Sequence, residues 1–303
     1  ESHFWTYCVP MVSSFKEAFW HDRRSKSISD MLVMIAAVGV SAASLSNVET
    51  SYEFVKFVTF DEHVGILGQL DDGPEVGLHH QAAYQSLKLE QYFRIWREQL
   101  LGRQFDFIVC MDADMIVMKA FGHVFEFLAQ HRVDVAFAYH DGKRRVPRGT
   151  APELAVTKRL GYVRLQGGLL LLRNSYVAML WFDRWASLIP TMLKESQKQR
   201  WAFLLEEFGD PSQAALAFLL AQGQLEIMQR TDLCCSCVRT LTLEPLRPEG
   251  GNISVRLLGL PSRYLNEAEA SEDGSLPPSL HVVRLKGNSR MERGVGEMWR
   301  QQE

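Results

Sequence analysis

Two aspartates one residue apart, Asp112 and Asp114, are the clearest chemical signal in this sequence. An apolar run, FIVCM, leads directly into them, and a second apolar run, MIVM, follows directly after them. Where the chain bends at such a point, both carboxylates can turn toward a hard divalent cation such as Mn²⁺ or Mg²⁺. A cation held there can bridge a diphosphate and neutralise the charge that develops on a leaving group. We therefore expect a metal site at the Asp112-Ala113-Asp114 triplet, with a structural acidic turn as the alternative.

A second group of residues with suitable chemistry lies near the C-terminus, in the run HVVRLKG. The imidazole of His281 is a good third ligand for Mn²⁺. Lys286 offers a point charge to a phosphate, and Gly287 lets the backbone approach that phosphate closely. Taken alone, His281 is better explained as a surface histidine at the start of a strand. Together with the aspartate triplet, the ligand role is favoured.

Three other segments could contact a ligand. Lys88 lies on a predicted helix before the triplet, where a solvated charge is the simpler interpretation. Gln166-Gly167-Gly168 precedes the run LLLLRNS, which is consistent with backbone close to a ligand, a bulge or a turn into the strand. Asp210 and Pro211 have the types expected at the N-cap and first position of a helix. A helix start at the ligand edge of a sheet could also carry a catalytic acid or amide.

The elements that position these residues alternate between strands and helices. Periodicity and composition predict strands at 3–11, 52–60, 105–111, 133–139, 169–172, 225–228 and 281–285, and helices at 27–43, 81–101, 176–193 and 211–222. The polar segments 141–160 and 266–278 are expected to be surface loops. The continuous apolar run 105–111 predicts a strand in the middle of a sheet, because both of its faces must be covered.

This alternation predicts an α/β fold with a mixed, mostly parallel central sheet flanked by helices. Ligands of such sheets bind beyond the carboxyl ends of the strands, where the aspartate triplet falls. We expect residues 1–303 to form one domain. Within it, 1–120 carry the aspartate triplet, and 121–303 include the C-terminal segment for metal and phosphate.

Composition limits the possible functions. The chain has 303 residues, of which 47% are hydrophobic, and a formal net charge of −3, which argues against a nucleic-acid partner. The sequence has no apolar run of the roughly 18 residues that span a bilayer. Cys8 and Cys110 are expected to be buried free thiols. The cluster of Cys234, Cys235 and Cys237 lacks a second pair of ligands, so a zinc site there is disfavoured.

Two runs in the sequence resemble known glycosyltransferase families. The run SLKLEQYFRIWREQLLGRQFDFIVCMDADMIVMKAFGHVFEF resembles the donor-site core of glycogenin-like glycosyltransferases. The runs GGLLLLRNSYVAMLWFDRW and SQAALAFLL resemble the xyloglucan xylosyltransferase and galactomannan galactosyltransferase family, and HVVRLKG is similar to the C-terminal segment of both. The resemblance covers residues 80–290 in patches. It implies a GT-A fold, a nucleotide-sugar donor, manganese and retention of anomeric configuration. With that fold, 1–120 would be the nucleotide-sugar-binding half of the domain, and 121–303 the acceptor-binding half.

The resemblance also implies roles for individual residues. Asp112, Asp114 and His281 would hold the metal, while Lys88 would contact the donor sugar or phosphate. The diphosphate would be bound by Lys286 and Gly287. Strands ending near Val9 and Asp61 would frame the nucleobase and ribose.

This chain departs from the family pattern at positions that normally touch the sugar. The families have Asn-x-Gly where this chain has Gln166-Gly167-Gly168, and Asp-Gln where it has Ser212-Gln213. Asp210 lies two positions before Ser212 and could replace the missing carboxylate. Gln166, Asp210 and Gln213 are therefore the catalytic candidates, with Gly167 and Gly168 as donor-binding positions.

The resulting expectation is a metal-dependent transferase that moves a sugar from a nucleotide diphosphate, with a UDP-sugar as the expected donor, to a glycan or another hydroxyl acceptor. One alternative is an inverting transferase with Glu206, Glu207 or Asp210 as general base. Another is an inactive nucleotide-binding scaffold of the same fold. The family relatives imply a Golgi lumen, which the Asn252 sequon permits, and a cytoplasmic location is the alternative.

Overall fold

The computed structural model describes residues 4–20, 32–63, 78–103, 105–140, 164–194, 201–202, 204–205, 211–222, 224–227, 237–243, 252–260, 265–266 and 281–284. The chain is a mixed α/β protein that divides into two compact units. Unit 1 comprises residues 1–58, 111–126 and 262–303, and unit 2 comprises 59–110 and 127–261. Both units therefore contain residues from each side of position 120.

The main helices are α1 (Val9–Trp20), α2 (Ala42–Ser51), α3 (Leu78–Ile95), α4 (Gly122–Gln130), α5 (Tyr176–Met192) and α6 (Pro211–Gln222). The strands are β1 (Val33–Ala37), β2 (Val55–Thr59), β3 (Phe107–Met111), β4 (Met115–Val117), β5 (Val135–His140), β6 (Arg164–Arg173), β7 (Gln224–Ile227), β8 (Cys237–Leu243), β9 (Ile253–Leu260), β10 (Leu265–Asn266) and β11 (Val282–Arg284). A π-helical turn, Phe4–Cys8, precedes α1, and another, Trp96–Leu100, follows α3. A 3₁₀ turn, Asp61–His63, follows β2.

The N-terminal segment is helical, so the prediction of a strand at 3–11 is wrong. Cys8, Met11, Val12 and Phe15 are all buried, with the spacing of one face of a helix. The aromatic and β-branched composition favoured a strand, but the helical spacing of the buried positions prevailed. Val9 begins α1 and does not end a strand, so the strand expected to bring it to the donor does not exist.

The predicted helix at 27–43 is also wrong, because β1 and then α2 occupy part of this region. Between them, Gly39 has a φ of 64°, which interrupts any regular element. The side chain of Ser41 accepts a hydrogen bond from the backbone N–H of Ser44 and so caps the start of α2. A short apolar run such as VMIAA suits a buried strand and a buried helix equally well.

Most other predicted elements are confirmed with shifts of a few residues. They are the strands that correspond to β2, β3, β5, β6, β7 and β11, and the helices that correspond to α3, α5 and α6. Pro211 is the first residue of α6, as predicted. β8 and β9 were not predicted. Residues 141–160 and 267–278 lie outside the described residues.

The described sheet of unit 2 has the strand order β3-β6-β5-β9-β8-β7. β5 runs parallel to β9 and antiparallel to β6, while β8 is antiparallel to both β7 and β9. The sheet is mixed, but three of these four pairings are antiparallel, which corrects the prediction of a mostly parallel sheet. β3 lies at one end of the described order and is not in its middle.

Aromatic side chains form much of the core of unit 2, where α3 packs against α5 and α6. The ring centroids of Trp96 and Phe182 lie 6.1 Å apart in an edge-on arrangement, and those of Phe182 and Trp185 lie 5.5 Å apart. Trp185 Nε1 also donates to the carbonyl of Ser212 at 2.7 Å, which ties α5 to the first turn of α6.

Asn174 fixes the connection between α3 and β3. Its Nδ2 donates to the carbonyls of Leu100 at 2.8 Å and Phe105 at 3.0 Å, and its Oδ1 accepts from Trp96 Nε1 at 2.9 Å. Its backbone N–H donates to the carbonyl of Asp106 at 2.8 Å. One side chain therefore satisfies the groups that flank the loop leading into β3, the strand that ends directly before Asp112.

Candidate functional site

The Asp112-Ala113-Asp114 triplet forms the turn between β3 and β4. Ala113 is exposed and Asp112 is half-buried, whereas Asp114 is 8% exposed. A carboxylate is seldom buried to this degree unless it is paired or binds a cation. A solvated surface turn does not account for Asp114.

β4, which follows the triplet, is held by neighbours within unit 1. It pairs with β11 in antiparallel register, Val117 opposite Val282 and Met115 opposite Arg284. The backbone N–H of Val117 also donates to Ser14 Oγ of α1 at 2.9 Å, and Ser14 Oγ donates to the carbonyl of Met11 at 2.6 Å. The triplet therefore opens onto a strand whose position is fixed by a strand and a helix.

The structure does not bring His281 to the two aspartates. The carbonyl of His281 accepts from the backbone N–H groups of Met118 at 2.7 Å and Lys119 at 3.3 Å. Met118 lies four residues after Asp114, which is about 13 Å along an extended strand. The ring of His281 lies instead beside that of His123, with centroids 5.5 Å apart. His281 thus lies at the far end of β4 from the triplet.

The described residues contain no group of three or more His, Cys, Asp or Glu side chains that could hold a metal ion. A site with Asp112, Asp114 and His281 as three protein ligands is therefore not assembled in them. Two carboxylates from one turn still suit Mg²⁺ or Mn²⁺, since such cations are often held by one or two carboxylates together with substrate phosphates and water. The donor chemistry fits the cation without His281.

Lys88, Gln213 and the Gln166-Gly167-Gly168 segment, three other predicted parts of the site, belong to unit 2. Lys88 lies on α3 and is half-buried, and Gln213 is half-buried in the first turn of α6. α6 packs against both α3 and β6. The elements that carry Lys88, Gln213 and the Gln166-Gly167-Gly168 segment are thus neighbours, which sequence spacing alone did not show.

Gly167 and Gly168 lie inside β6 and form an irregularity in its pairing with β5. Phe137 pairs with Leu170, but the next residue, Ala138, pairs with Gln166. Residues 167–169 of β6 therefore lie between the partners of two consecutive residues of β5. Of the interpretations that the sequence allowed, a bulge is the one observed, and a bulge re-aims the backbone next to it.

Asp61 begins the 3₁₀ turn after β2, and the neighbours of Asp61 in this turn contact α3. Glu62 Oε1 and Arg94 Nη1 form an ion pair at 2.6 Å. The hydrogen bond from Arg94 lowers the pKa of Glu62 and raises that of Arg94. His63 Nδ1 lies 3.0 Å from Gln91 Nε2, and both side chains are buried. His63 and Gln91 could not be predicted from the sequence, because a lone histidine after a strand and a glutamine on a helix form no motif.

Asp134, which directly precedes β5, is a carboxyl with a raised pKa among the described residues. Burial raises the pKa of Asp134, and the backbone N–H of Arg256 and the charges of Arg173 and Arg256 oppose this shift. Asp134 Oδ2 accepts from the Arg256 backbone N–H at 2.9 Å. This contact joins β5 to β9 and has a structural role.

Several predicted residues lie outside the described residues, namely Asp210, Glu206, Glu207, Lys286, Gly287, Cys234 and Cys235. Cys8 and Cys110 are buried free thiols, as expected. No helix in the described ranges is both long and apolar enough to cross a membrane.

No family model and no curated protein matches this chain. Among solved structures, that of mouse xyloside xylosyltransferase 1 in its apo form is similar to it. The two chains share 11% sequence identity, with 92% of this chain and 93% of that chain covered and a TM-score of 0.40. A likeness at this level does not define an activity for this chain, so the functional conclusion rests on its own residues.

Proposed function

We propose that this chain is a metal-dependent glycosyltransferase that moves a sugar from a nucleotide diphosphate, a UDP-sugar, to a hydroxyl acceptor such as a glycan. The burial of Asp114 in a turn between two strands is the observation that carries the proposal. An acidic pair in a surface loop would be exposed on both residues. A pair with one buried member, leading into a fixed strand, suits a site where charge is neutralised by a cation.

Asp112 and Asp114 hold Mn²⁺ or Mg²⁺ in this proposal, and the cation, when bound, supplies Lewis-acid stabilisation of the departing diphosphate. Lys88 adds a positive charge to the donor, and Lys286 and Gly287 bind the diphosphate. Gln166, Gln213 and Asp210 are the residues proposed to act at the sugar. Two protein ligands, Asp112 and Asp114, are proposed for the cation, because the described residues contain no group of three His, Cys, Asp or Glu side chains that could hold it.

The stereochemical outcome is proposed to be retention, as the resemblance of the two sequence runs implies. An inverting enzyme would need a general base near the acceptor hydroxyl, and Glu206, Glu207 and Asp210 are the candidates. Nuclear magnetic resonance of the first-formed product distinguishes the two outcomes, because it reports the anomeric configuration before mutarotation.

The proposal is tested by measuring hydrolysis of a panel of UDP- and GDP-sugars with and without Mn²⁺. Asp114→Asn keeps the size of the side chain but removes the charge that binds the cation, so we expect it to abolish metal-dependent hydrolysis. Asp106→Asn is the matched control, because Asp106 is exposed and directly precedes β3. Full metal-dependent activity in Asp114→Asn would refute the proposed site.

Binding measurements separate an enzyme from an inactive scaffold. If no donor is consumed with any acceptor but UDP and Mn²⁺ bind to the unmodified chain and not to Asp114→Asn, the chain is a nucleotide-binding scaffold. Failure of the unmodified chain to bind either would mean that the aspartate turn has a structural role.

A Golgi location is proposed together with this activity. Asn252 is exposed directly before β9, so a glycan at its sequon would extend into solvent. Expression through the secretory pathway followed by glycosidase digestion should shift the mass of the chain and leave Asn252→Gln unchanged. An unmodified Asn252 in secreted material would favour the cytoplasmic alternative.

A further inference from the structure

The 3₁₀ turn Asp61–His63 is attached to α3 by two contacts that differ in burial. The Glu62–Arg94 ion pair is formed by side chains that are 54% and 37% exposed. Water and salt screen such a pair, so it does little to fix the turn. The His63–Gln91 contact is formed by side chains that are 4% and 8% exposed, so water cannot replace either partner.

The buried contact joins Gln91 Nε2 to His63 Nδ1 at 3.0 Å. An amide nitrogen can only donate, so His63 Nδ1 acts as the acceptor in this contact. The imidazole is also stacked on Phe60, with ring centroids 5.5 Å apart, and the Arg94 guanidinium lies 4.9 Å from the centroid of the Phe60 ring. The stacking on Phe60 therefore fixes the plane of the His63 ring, and the hydrogen bond from Gln91 fixes the position of its Nδ1 atom.

Gln91 lies three residues after Lys88 on α3. Side chains three residues apart on a helix are neighbours, with Cβ atoms about 5–6 Å apart. The contact between His63 and Gln91 thus sets the turn that begins at Asp61 against the part of α3 that carries Lys88. Lys88 contacts the donor in the proposed function, and the family resemblance implies that the strand ending near Asp61 frames the nucleobase and ribose of the same donor.

We propose that His63 and Gln91 are positioning residues for the donor, and that their hydrogen bond fixes the Asp61 turn relative to Lys88. This inference rests on the proposed function. Neither side chain touches the donor in this account, and neither takes part in proton transfer. Loss of the bond should weaken donor binding and leave the chemical step unchanged.

The test compares variants that break and keep the bond. His63→Leu removes the acceptor. His63→Asn keeps it, because Oδ1 of asparagine lies the same number of bonds from Cα as Nδ1 of histidine. Gln91→Met breaks the bond from the other side, and Glu62→Gln is the control that breaks only the exposed ion pair.

We expect His63→Leu and Gln91→Met to raise the donor KM and the Kd for UDP about tenfold, with kcat within about twofold of the unmodified value. His63→Asn should recover most of the affinity, and Glu62→Gln should leave KM unchanged. An unchanged KM in both breaking variants, or a fall in kcat at constant KM, would overturn the positioning role. Loss of the native circular dichroism spectrum in both would also overturn it, since the pair would then be structural.

Amide hydrogen exchange of the ligand-free protein gives a readout that does not depend on activity. The backbone N–H of His63 donates to the carbonyl of Phe60 at 3.0 Å, so its protection reports on the turn. We expect the backbone amide of residue 63 to exchange faster in His63→Leu and to return to the unmodified rate in His63→Asn. An unchanged rate in His63→Leu would overturn the inference. If the turn behaves as expected but the unmodified chain binds no UDP, the proposed function has failed and the donor role of this pair fails with it. If UDP binds equally to all variants, the inference alone has failed.

Discussion

Replacement of Asn174 by alanine should destabilise unit 2 by about 3 kcal/mol, because it removes three hydrogen bonds at once. Two of them are donated by Nδ2 to the carbonyls of Leu100 and Phe105, and the third is accepted by Oδ1 from Trp96. All three lie between 2.8 and 3.0 Å, so each is well formed.

The magnitude follows from the burial of the three partners. Each hydrogen bond contributes roughly 1 kcal/mol net, which gives about 3 kcal/mol for the set. Trp96 is 2% exposed, so water cannot reach its Nε1 after the substitution, and the loss moves toward the upper end of the range. Phe105 is only half-buried, so water can partly replace Asn174 at its carbonyl. A range of roughly 2–4 kcal/mol is therefore expected.

Urea unfolding, followed by both circular dichroism and tryptophan fluorescence, measures this loss, provided that the two transitions coincide. Asn174→Asp should be at least as destabilising as the alanine variant, because it keeps the acceptor for Trp96 but presents a carboxylate to two carbonyls. Ser175→Ala is the neighbouring control. It removes only the cap of α5, in which Ser175 Oγ accepts from the Ala178 N–H at 3.2 Å, and should cost about 1 kcal/mol.

If Asn174→Ala lowers the free energy of unfolding by less than about 1 kcal/mol, with an unchanged slope against urea concentration, the prediction is wrong. It would mean that the loop between α3 and β3 holds its conformation without the asparagine. A double-mutant cycle with Trp96→Phe isolates one of the three bonds and should give a coupling energy of about 1 kcal/mol.

Three further predictions concern the burial of Asp134, the hydrogen bond between Ser14 and Val117, and the burial of Cys8. Burial raises the pKa of Asp134, so the folded state holds this proton to a higher pH than the unfolded chain does. The unmodified protein should therefore lose stability relative to Asp134→Asn as the pH rises above the ordinary aspartate pKa of about 4. A constant difference between the two unfolding free energies across this rise would contradict the prediction. Ser14→Ala leaves the buried N–H of Val117 without its acceptor and should lower the free energy of unfolding in urea by roughly 1–3 kcal/mol. The exposed control Ser187→Ala should change it by no more than about 0.5 kcal/mol. Equal losses in the two variants would contradict the contact between Ser14 and Val117. Burial raises the pKa of Cys8 to about 12, so iodoacetamide at pH 8 should modify this thiol only after the chain unfolds. Peptide mass measurements detect the modification, and rapid labelling of the folded chain would contradict the burial of Cys8.

Elements with several turns of helical periodicity or an uninterrupted apolar run could be predicted from the sequence. The segment made of α3 and the π-helical turn after it has Leu89, Trp96 and Leu100 buried at helical spacing, and the run LLLL of β6 is buried throughout. The local apolar pattern was therefore sufficient to predict both. The position of the aspartates at a strand end followed in the same way, since the apolar runs on either side are themselves strands.

Elements with a short or mixed pattern could not be predicted. The segment that begins α1 has strand-like composition, and the apolar run of β1 fits a buried helix equally well. β8 and β9 pair with each other and with strands from elsewhere in the sheet, so their stability comes from partners that a local pattern does not name.

Side-chain chemistry and the neighbouring strand patterns, both visible in the sequence, indicate which residues are candidates to bind a cation or a phosphate. Which of these residues lie close together depends on the fold. The register of β11 against β4 placed His281 beside His123 and away from Asp114, and the contact of His63 with Gln91 joined a turn to a helix 28 residues away in the sequence. Strand register and helix packing are fixed by the whole core, in which each contact joins residues far apart in the chain, and so no local pattern specifies them.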